Sequence, residues 1–199
     1  MPYEYRKMTD EERREIVAWR RAHGWPDHSP PHPFRGPGRY IITAANFEHE
    51  PIMADPLRRT DFEARLLGKL KENEAEICAW VVLPNHYHVL VRVKSLYLIS
   101  ASLKELHGKT SREWNLEDGM TGERQVWYRF HDRKIRGDKH FSRALNYIHY
   151  NPVKHGWIAS PYDWPWSSLE NYLITYGREW LRKNWVAYRP AVMGRGWDD

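Results

Sequence analysis

Two histidines, His86 and His88, stand one residue apart inside the apolar run "VVLPNHYHVLV" at residues 81–91. Residues i and i+2 of a strand share a face. Both imidazoles therefore leave a strand over 86–93 on the same side. Such a pair is half of a metal site, or a pair of donors toward a phosphate. The plainer alternative is two polar side chains with satisfied hydrogen bonds and no ligand. A cation would need further ligands from elsewhere in the chain, and "FSRALNYIHYNP" at 141–152 offers them. Its apolar residues Phe141, Ala144, Leu145 and Ile148 are spaced as one stripe of a helix. Tyr147 and Asn151 lie one turn apart on a flank of that stripe, and Tyr150 points nearly opposite it, toward solvent. Imidazole and oxygen ligands together can hold Mg²⁺ or Mn²⁺. Such an ion polarises a phosphoryl oxygen, and a neighbouring tyrosine can attack phosphorus and form a covalent intermediate. The set reads as a site that nicks and rejoins a phosphodiester. A Tyr at a helix boundary with its hydroxyl in water is the competing reading of Tyr147.

The elements that must position these residues are legible in outline. Residues 9–22 read as a surface helix opened by a Thr9–Glu12 capping box. The segment "HGWPDHSPPHPFRGPG" is too rich in Pro and Gly for a core element and reads as an extended arm. "RYIITAANF" reads as a first strand, and "TDFEARLLGKLKENEA" as a helix capped by Thr60 and Glu63, with Phe62, Leu66, Leu67 and Leu70 on one face. Residues 76–83 and 86–93 read as a hairpin turning at Pro84-Asn85. Residues 96–114 give a second helix, "QVWYRF" a fourth strand, and "HDRKIRGDKH" a basic connection. Asp138 then caps a third long helix, expected to end at Asn151 because Pro152 disfavours helix at its predecessor. The order β, α, β, β, α, β, α implies an α+β fold, an antiparallel sheet with helices packed on it. Residues 1–38 form an N-terminal helix and arm, 39–175 the catalytic domain, and 176–199 a C-terminal tail. The Trp- and Pro-rich stretch from about 157 could clamp the core or lie over a site, and the sequence leaves both open.

The chain has 199 residues, 31 Lys and Arg against 26 Asp and Glu, and a net charge of +5. That balance leans mildly toward a polyanionic partner. Eleven Trp and twelve Tyr, interleaved with cations, suit stacking on unpaired bases as well as core packing. Cys78 is the single cysteine, so an internal disulfide is excluded, in keeping with a reducing cytoplasm. No apolar run is long enough to span a membrane. Six Lys or Arg against two Asp between Arg129 and Arg143 lead into the Tyr147 helix. Arg129, Arg133, Lys134, Arg136, Lys139, Arg143 and, beyond it, Lys154 are candidate phosphate contacts.

"PNHYHVLV" resembles the histidine–hydrophobic–histidine signature of the HUH single-strand endonucleases. "YIHYNPVKHGW", followed by "DWPWSS", resembles the REP-associated tyrosine transposases of that superfamily. The likeness runs from about Arg39 to Tyr172 and includes "WYRFHDRKIR". It implies the ferredoxin-like HUH α/β sandwich, His86 and His88 as metal ligands, Asn151 as third ligand and Tyr147 as nucleophile. It also implies a single-stranded DNA hairpin from palindromic repeats as partner, a 5′-phosphotyrosine intermediate, Mg²⁺ or Mn²⁺ as cofactor, and a monomer. Larger branches of the superfamily use two tyrosines, so Tyr150 is a second candidate. A non-catalytic hairpin-binding regulator and a metal-dependent hydrolase using water are the alternatives.

Overall fold

The computed structural model describes residues 8–22 and 36–189. Helix α1 (Asp10–Ala22) opens as expected. The Thr9 amide donates to Glu12 Oε2 at 2.7 Å, and the Glu12 amide donates to Thr9 Oγ1 at 3.3 Å. Most of the Pro-rich arm lies outside the described residues, as does the C-terminal tail beyond Arg189.

Strands β1 (Gly38–Ala45), β2 (Glu76–Val82), β3 (His86–Val93) and β4 (His131–Lys134) form one antiparallel sheet in the order β2-β3-β1-β4. Helices α2 (Pro56–Glu72) and α3 (Leu96–Glu117) cover one face. Helix α4 (Asp138–Lys154) covers the other. Helix α5 (Leu169–Ala187) follows a 3₁₀ turn over Pro161–Asp163. The period-two alternation of β3 sorts its side chains between these layers. Tyr87, Val89 and Val91 enter the core under α2 and α3, whereas Leu90 packs with Ala144, Leu145, Tyr147 and Ile148 of α4. His86 and His88 share Leu90's parity and so face α4.

Four local expectations are corrected. Helix α2 begins four residues before Thr60: Asp55 accepts from the Leu57 amide and Pro56 occupies the first turn, where its missing N–H is harmless. Thr60 instead donates to the Pro56 carbonyl, and Glu63 accepts from Trp80 Nε1. "QVWYRF" is not a strand. It makes one bridge, Trp127 to Asn46, and is held by the Trp127 ring among Phe62, Tyr87, His107 and Trp114. The fourth strand is His-Asp-Arg-Lys, a short charged segment of the kind that suits a sheet edge. Helix α4 is capped by Gly137 with Asp138 in its first turn, where Asp138 pairs with Arg39. It also runs past Pro152 to Lys154, because packing holds the buried Asn151 and Pro152 in helical geometry.

The segment after 157 clamps the edge of β2. Trp164 Nε1 donates to the Val82 carbonyl, the Ser168 amide to that of Trp80, and Tyr172 Oη to that of Cys78. Arg59 lies against both Trp164 and Trp166, its guanidinium 4.9 and 3.7 Å from the ring centroids. No helix among the described residues is long and apolar enough to cross a membrane.

Candidate active site

The turn that carries His86 is fixed from both sides. The Leu83 amide donates to the His86 carbonyl across Pro84-Asn85, the Met53 amide to that of Pro84, and the Asn46 amide to that of Asn85. His86 then begins β3, a strand paired along both edges. Each histidine ring is oriented through its Nδ1. His86 Nδ1 lies 2.7 Å from Asn85 Oδ1. His88 Nδ1 lies 2.7 Å from Thr43 Oγ1. Register explains the second contact, since Thr43 of β1 stands directly opposite His88 and on the same face. The two rings meet edge to face, with centroids 5.0 Å apart.

Helix α4 closes the site from above. Asn151 Oδ1 lies 2.9 Å from His86 Nε2. The Tyr147 hydroxyl lies 3.4 Å from His88 Nε2. Two turns beyond Tyr147 on the same helix face, the Lys154 ammonium lies 3.5 Å from that hydroxyl and 5.0 Å from the ring. Tyr147 is 1% exposed and Asn151 fully buried, so Tyr147 is no boundary residue with its hydroxyl in water. Tyr150 is half-buried rather than turned fully to solvent.

These groups fit a small divalent ion. Asn85 Oδ1 and Asn151 Oδ1, beside the two nitrogens of the His86 ring, are amide oxygens, which only accept, and a neutral imidazole donates from one nitrogen. In the tautomer that carries its proton on Nδ1, toward Asn85, the Nε2 lone pair faces the Asn151 oxygen at 2.9 Å. That spacing matches two adjacent ligands of an octahedral ion with bonds of about 2.0–2.1 Å, which would stand about 3 Å apart. The Asn151 amide nitrogen is buried and has no hydrogen-bond partner, so the side chain contributes through its oxygen alone. Among the described residues no three His, Cys, Asp or Glu cluster as a metal site; the oxygen donor that stands beside the His86 imidazole is the Asn151 amide.

The transposase family described as IS200-like matches residues 41–151, a span that begins in β1 and ends on Asn151. The chain belongs to this family. A REP-associated tyrosine transposase from Escherichia coli K12 is 34% identical to it over 104 residues, covering 50% of this chain and 57% of that protein. A Haemophilus influenzae protein assigned to the same group is 35% identical over 104 residues, covering 47% of this chain and 58% of its own. The chain thus matches somewhat over half the length of these relatives. The solved structure of a REP-associated tyrosine transposase bound to a REP hairpin shares the fold. Its TM-score is 0.59 at 23% identity, over 74% of this chain and 87% of that one.

In this chain the candidate phosphate contacts separate. Arg133, Arg136 and Arg143 converge on His140, whose pKa is lowered first by burial and then by those three cations. Burial and the nearby Arg136 likewise lower the pKa of Arg133. Lys134 stands opposite Tyr40, on the α2–α3 side of β4, away from that group. Arg129 and Lys139 are exposed, on the approach to β4 and the first turn of α4. Lys154 belongs with Tyr147. Three residues beside the site escaped the sequence reading: Asn85 and Thr43, which orient the histidines, and His155, whose ring lies 4.8 Å from that of His86. Asn85 adjoins His86 and could have been suspected. Thr43 depends on strand register, which no local pattern specifies.

Proposed function

We propose that the chain is a single-stranded DNA endonuclease and strand transferase acting at hairpins of palindromic repeats, with Tyr147 as nucleophile. One observation carries the reading: the Tyr147 hydroxyl and the Asn151 oxygen, one turn apart on α4, each meet one imidazole of the His86–His88 pair. The family supports DNA as the substrate, and the hairpin-bound neighbour supports the hairpin. His86, His88 and Asn151 would hold Mg²⁺ or Mn²⁺. Bound there, the ion supplies Lewis-acid polarisation of the scissile phosphate.

The rest falls to side chains of this chain. Tyr147 attacks phosphorus, the bond to the 3′ oxygen breaks, and the 5′ phosphate stays on tyrosine. The phenol gives up its proton and the departing 3′ oxygen gains one. Attack by a 3′ hydroxyl on the phosphotyrosine reverses the step and reseals a strand with no external energy source. The Lys154 ammonium, 3.5 Å from the hydroxyl, stabilises negative charge developing there. Arg133, Arg136 and Arg143 offer phosphate contacts on the β4–α4 side. His86, His88, Tyr147 and Asn151 meet within one chain, so the site as proposed needs no second copy to complete it.

The test is incubation of the protein and Mg²⁺ with a labelled single-stranded hairpin taken from repeats flanking its gene, resolved on a denaturing gel. A protein–DNA adduct is expected. Cleaved product without an adduct would establish a water nucleophile, and binding without either would establish a regulator.

A further inference from the structure

The C-terminal helix borders a cleft that the proposed chemistry does not use. Helix α5 bends at Gly177, whose φ of 80° and ψ of 164° glycine adopts without the clash of a Cβ. Past the bend, Arg178, Glu179, Arg182 and Trp185 line a cleft of about 590 Å³, together with Tyr162 of the preceding 3₁₀ turn. That volume is within the range of small-molecule sites, roughly 300–1,000 Å³. The Arg178 guanidinium lies 5.0 Å from the Tyr162 ring centroid. The Trp185 ring lies 5.6 Å from Tyr162 and is tilted 48° to it. Glu179 is shared by Arg182 and Lys183, both at 3.4 Å, so its charge is already matched and the rim stays cationic.

The cleft is tied to the catalytic helix. Asn184 Nδ2 donates to Asn146 Oδ1 at 2.7 Å. Asn146 Nδ2 donates to the carbonyls of Asn184 and Tyr188 at 3.0 and 2.8 Å. Asn146 adjoins Tyr147 and Asn184 adjoins Trp185, so this asparagine pair joins the cleft wall to the helix bearing the candidate nucleophile. Aromatic rings beside exposed guanidinium groups suit one chemistry well. A nucleobase stacks on the rings, and its phosphate meets the arginines. An aliphatic ligand would use neither feature.

We propose that this cleft holds one unpaired nucleotide of the strand being processed, its base against Tyr162 and Trp185 and its phosphates on Arg178 and Arg182. The inference rests on the reading of the chain as a single-stranded DNA enzyme. It adds a contact separate from the tyrosine and the histidines.

The test uses the full chain carrying Tyr147→Phe and a short oligothymidylate with iododeoxyuridine at single positions. Ultraviolet crosslinks should map to peptides containing Tyr162 or Trp185. In anisotropy titrations, Arg178→Gln with Arg182→Gln should lower the slope of log K against log salt by about 0.7 to 1.4, at about 0.7 per phosphate of a single strand. Trp185→Ala should weaken binding at least about five-fold, the lower end of base–aromatic stacking, and Trp185→Phe should restore most of it. Both arginines are exposed, so the glutamine pair leaves the fold intact even if the Trp185 truncation does not. Crosslinks confined to other peptides, or an unchanged slope in the glutamine pair, overturn the proposal. Adduct formation by the wild-type chain reports on the catalytic reading separately. An adduct without the cleft crosslink sinks only the cleft, and the crosslink without an adduct sinks only the chemistry.

Discussion

Replacing Tyr147 with Phe separates chemistry from folding, because the geometry assigns the hydroxyl and the ring different work. Tyr147 is 1% exposed and belongs to the buried cluster of Ile41, Leu90, Ala144 and Ile148, in which the Phe ring would fill the same space. The hydroxyl stands 3.4 Å from His88 Nε2 and 3.5 Å from Lys154 Nζ, longer than the 2.7–3.0 Å typical of good hydrogen bonds. Its loss should cost no more than about 1 kcal/mol. For a domain of this size that is a fall of about 2–4 °C in Tm. Tyr147→Ala would be a poorer probe, since truncating a buried aromatic costs about 3–5 kcal/mol, a large share of a total near 5–15. The Phe variant should retain hairpin affinity and form no covalent adduct, whereas Tyr150→Phe should form it within a few-fold of wild type. The assays are thermal unfolding, hairpin binding, and a denaturing gel with mass spectrometry of the adduct peptide. An adduct in Tyr147→Phe, or one mapped to Tyr150, would refute the assignment and the orientation of α4 on which it rests. A Tm loss beyond about 8 °C would show that the hydroxyl is structural.

Thr43→Val removes the oxygen that orients His88. It should lower Mn²⁺ affinity about 10–100-fold by calorimetry, and an unchanged affinity would mean that Thr43 does not position the ring. His88→Ala should abolish Mg²⁺-dependent cleavage and leave hairpin binding largely intact, while cleavage at the wild-type rate would remove it from the ligand set. Neutralising Arg133, Arg136 and Arg143 together should lower the salt slope of hairpin binding by about two to three, at about 0.9 per duplex phosphate, whereas Lys134→Gln alone should leave it unchanged. Two buried histidines outside the site, His107 and His149, have pKa values pushed down to about 3 by burial. Their folded pKa lies below the unfolded value near 6.5, so the unfolded chain binds more protons between those limits. Their contribution is complete above about pH 6.5 and is lost as pH falls toward 3, by about 1.4 kcal/mol per pH unit for each. Urea unfolding at pH 7, 6 and 5 should show that decline, and equal stability at all three would refute it.

The parts of this site legible in the sequence are those set by local periodicity. The i, i+2 spacing of His86 and His88 and the i, i+4 spacing of Tyr147 and Asn151 each depend on one element, and each placed its pair on one face. The β–α order was readable for the same reason. Burial of Tyr147 was not, because the width of the buried face depends on what packs above the helix, here α5 and the turn before it. The fourth strand went to the wrong segment because "QVWYRF" has the composition of a strand. Its aromatics were placed instead by the core between the sheet and α2–α3, and an edge strand tolerates the charged His-Asp-Arg-Lys. Thr43 became part of the site through strand register, a relation between segments 45 residues apart.

That charged edge has a second consequence. Among the described residues β4 is the last strand of the sheet, and a sheet edge is where a strand of another chain can add. Arg133 and Lys134 project from opposite faces of that edge, so both faces carry a cation there. Arg133, a candidate phosphate contact, is thus also part of an edge whose charge disfavours adding sheet to sheet. Neutral substitutions there, made to weaken DNA binding, should raise the tendency to self-associate at high protein concentration and low salt. Light scattering on Arg133→Gln with Lys134→Gln would report the loss of that guard independently of any nucleic acid.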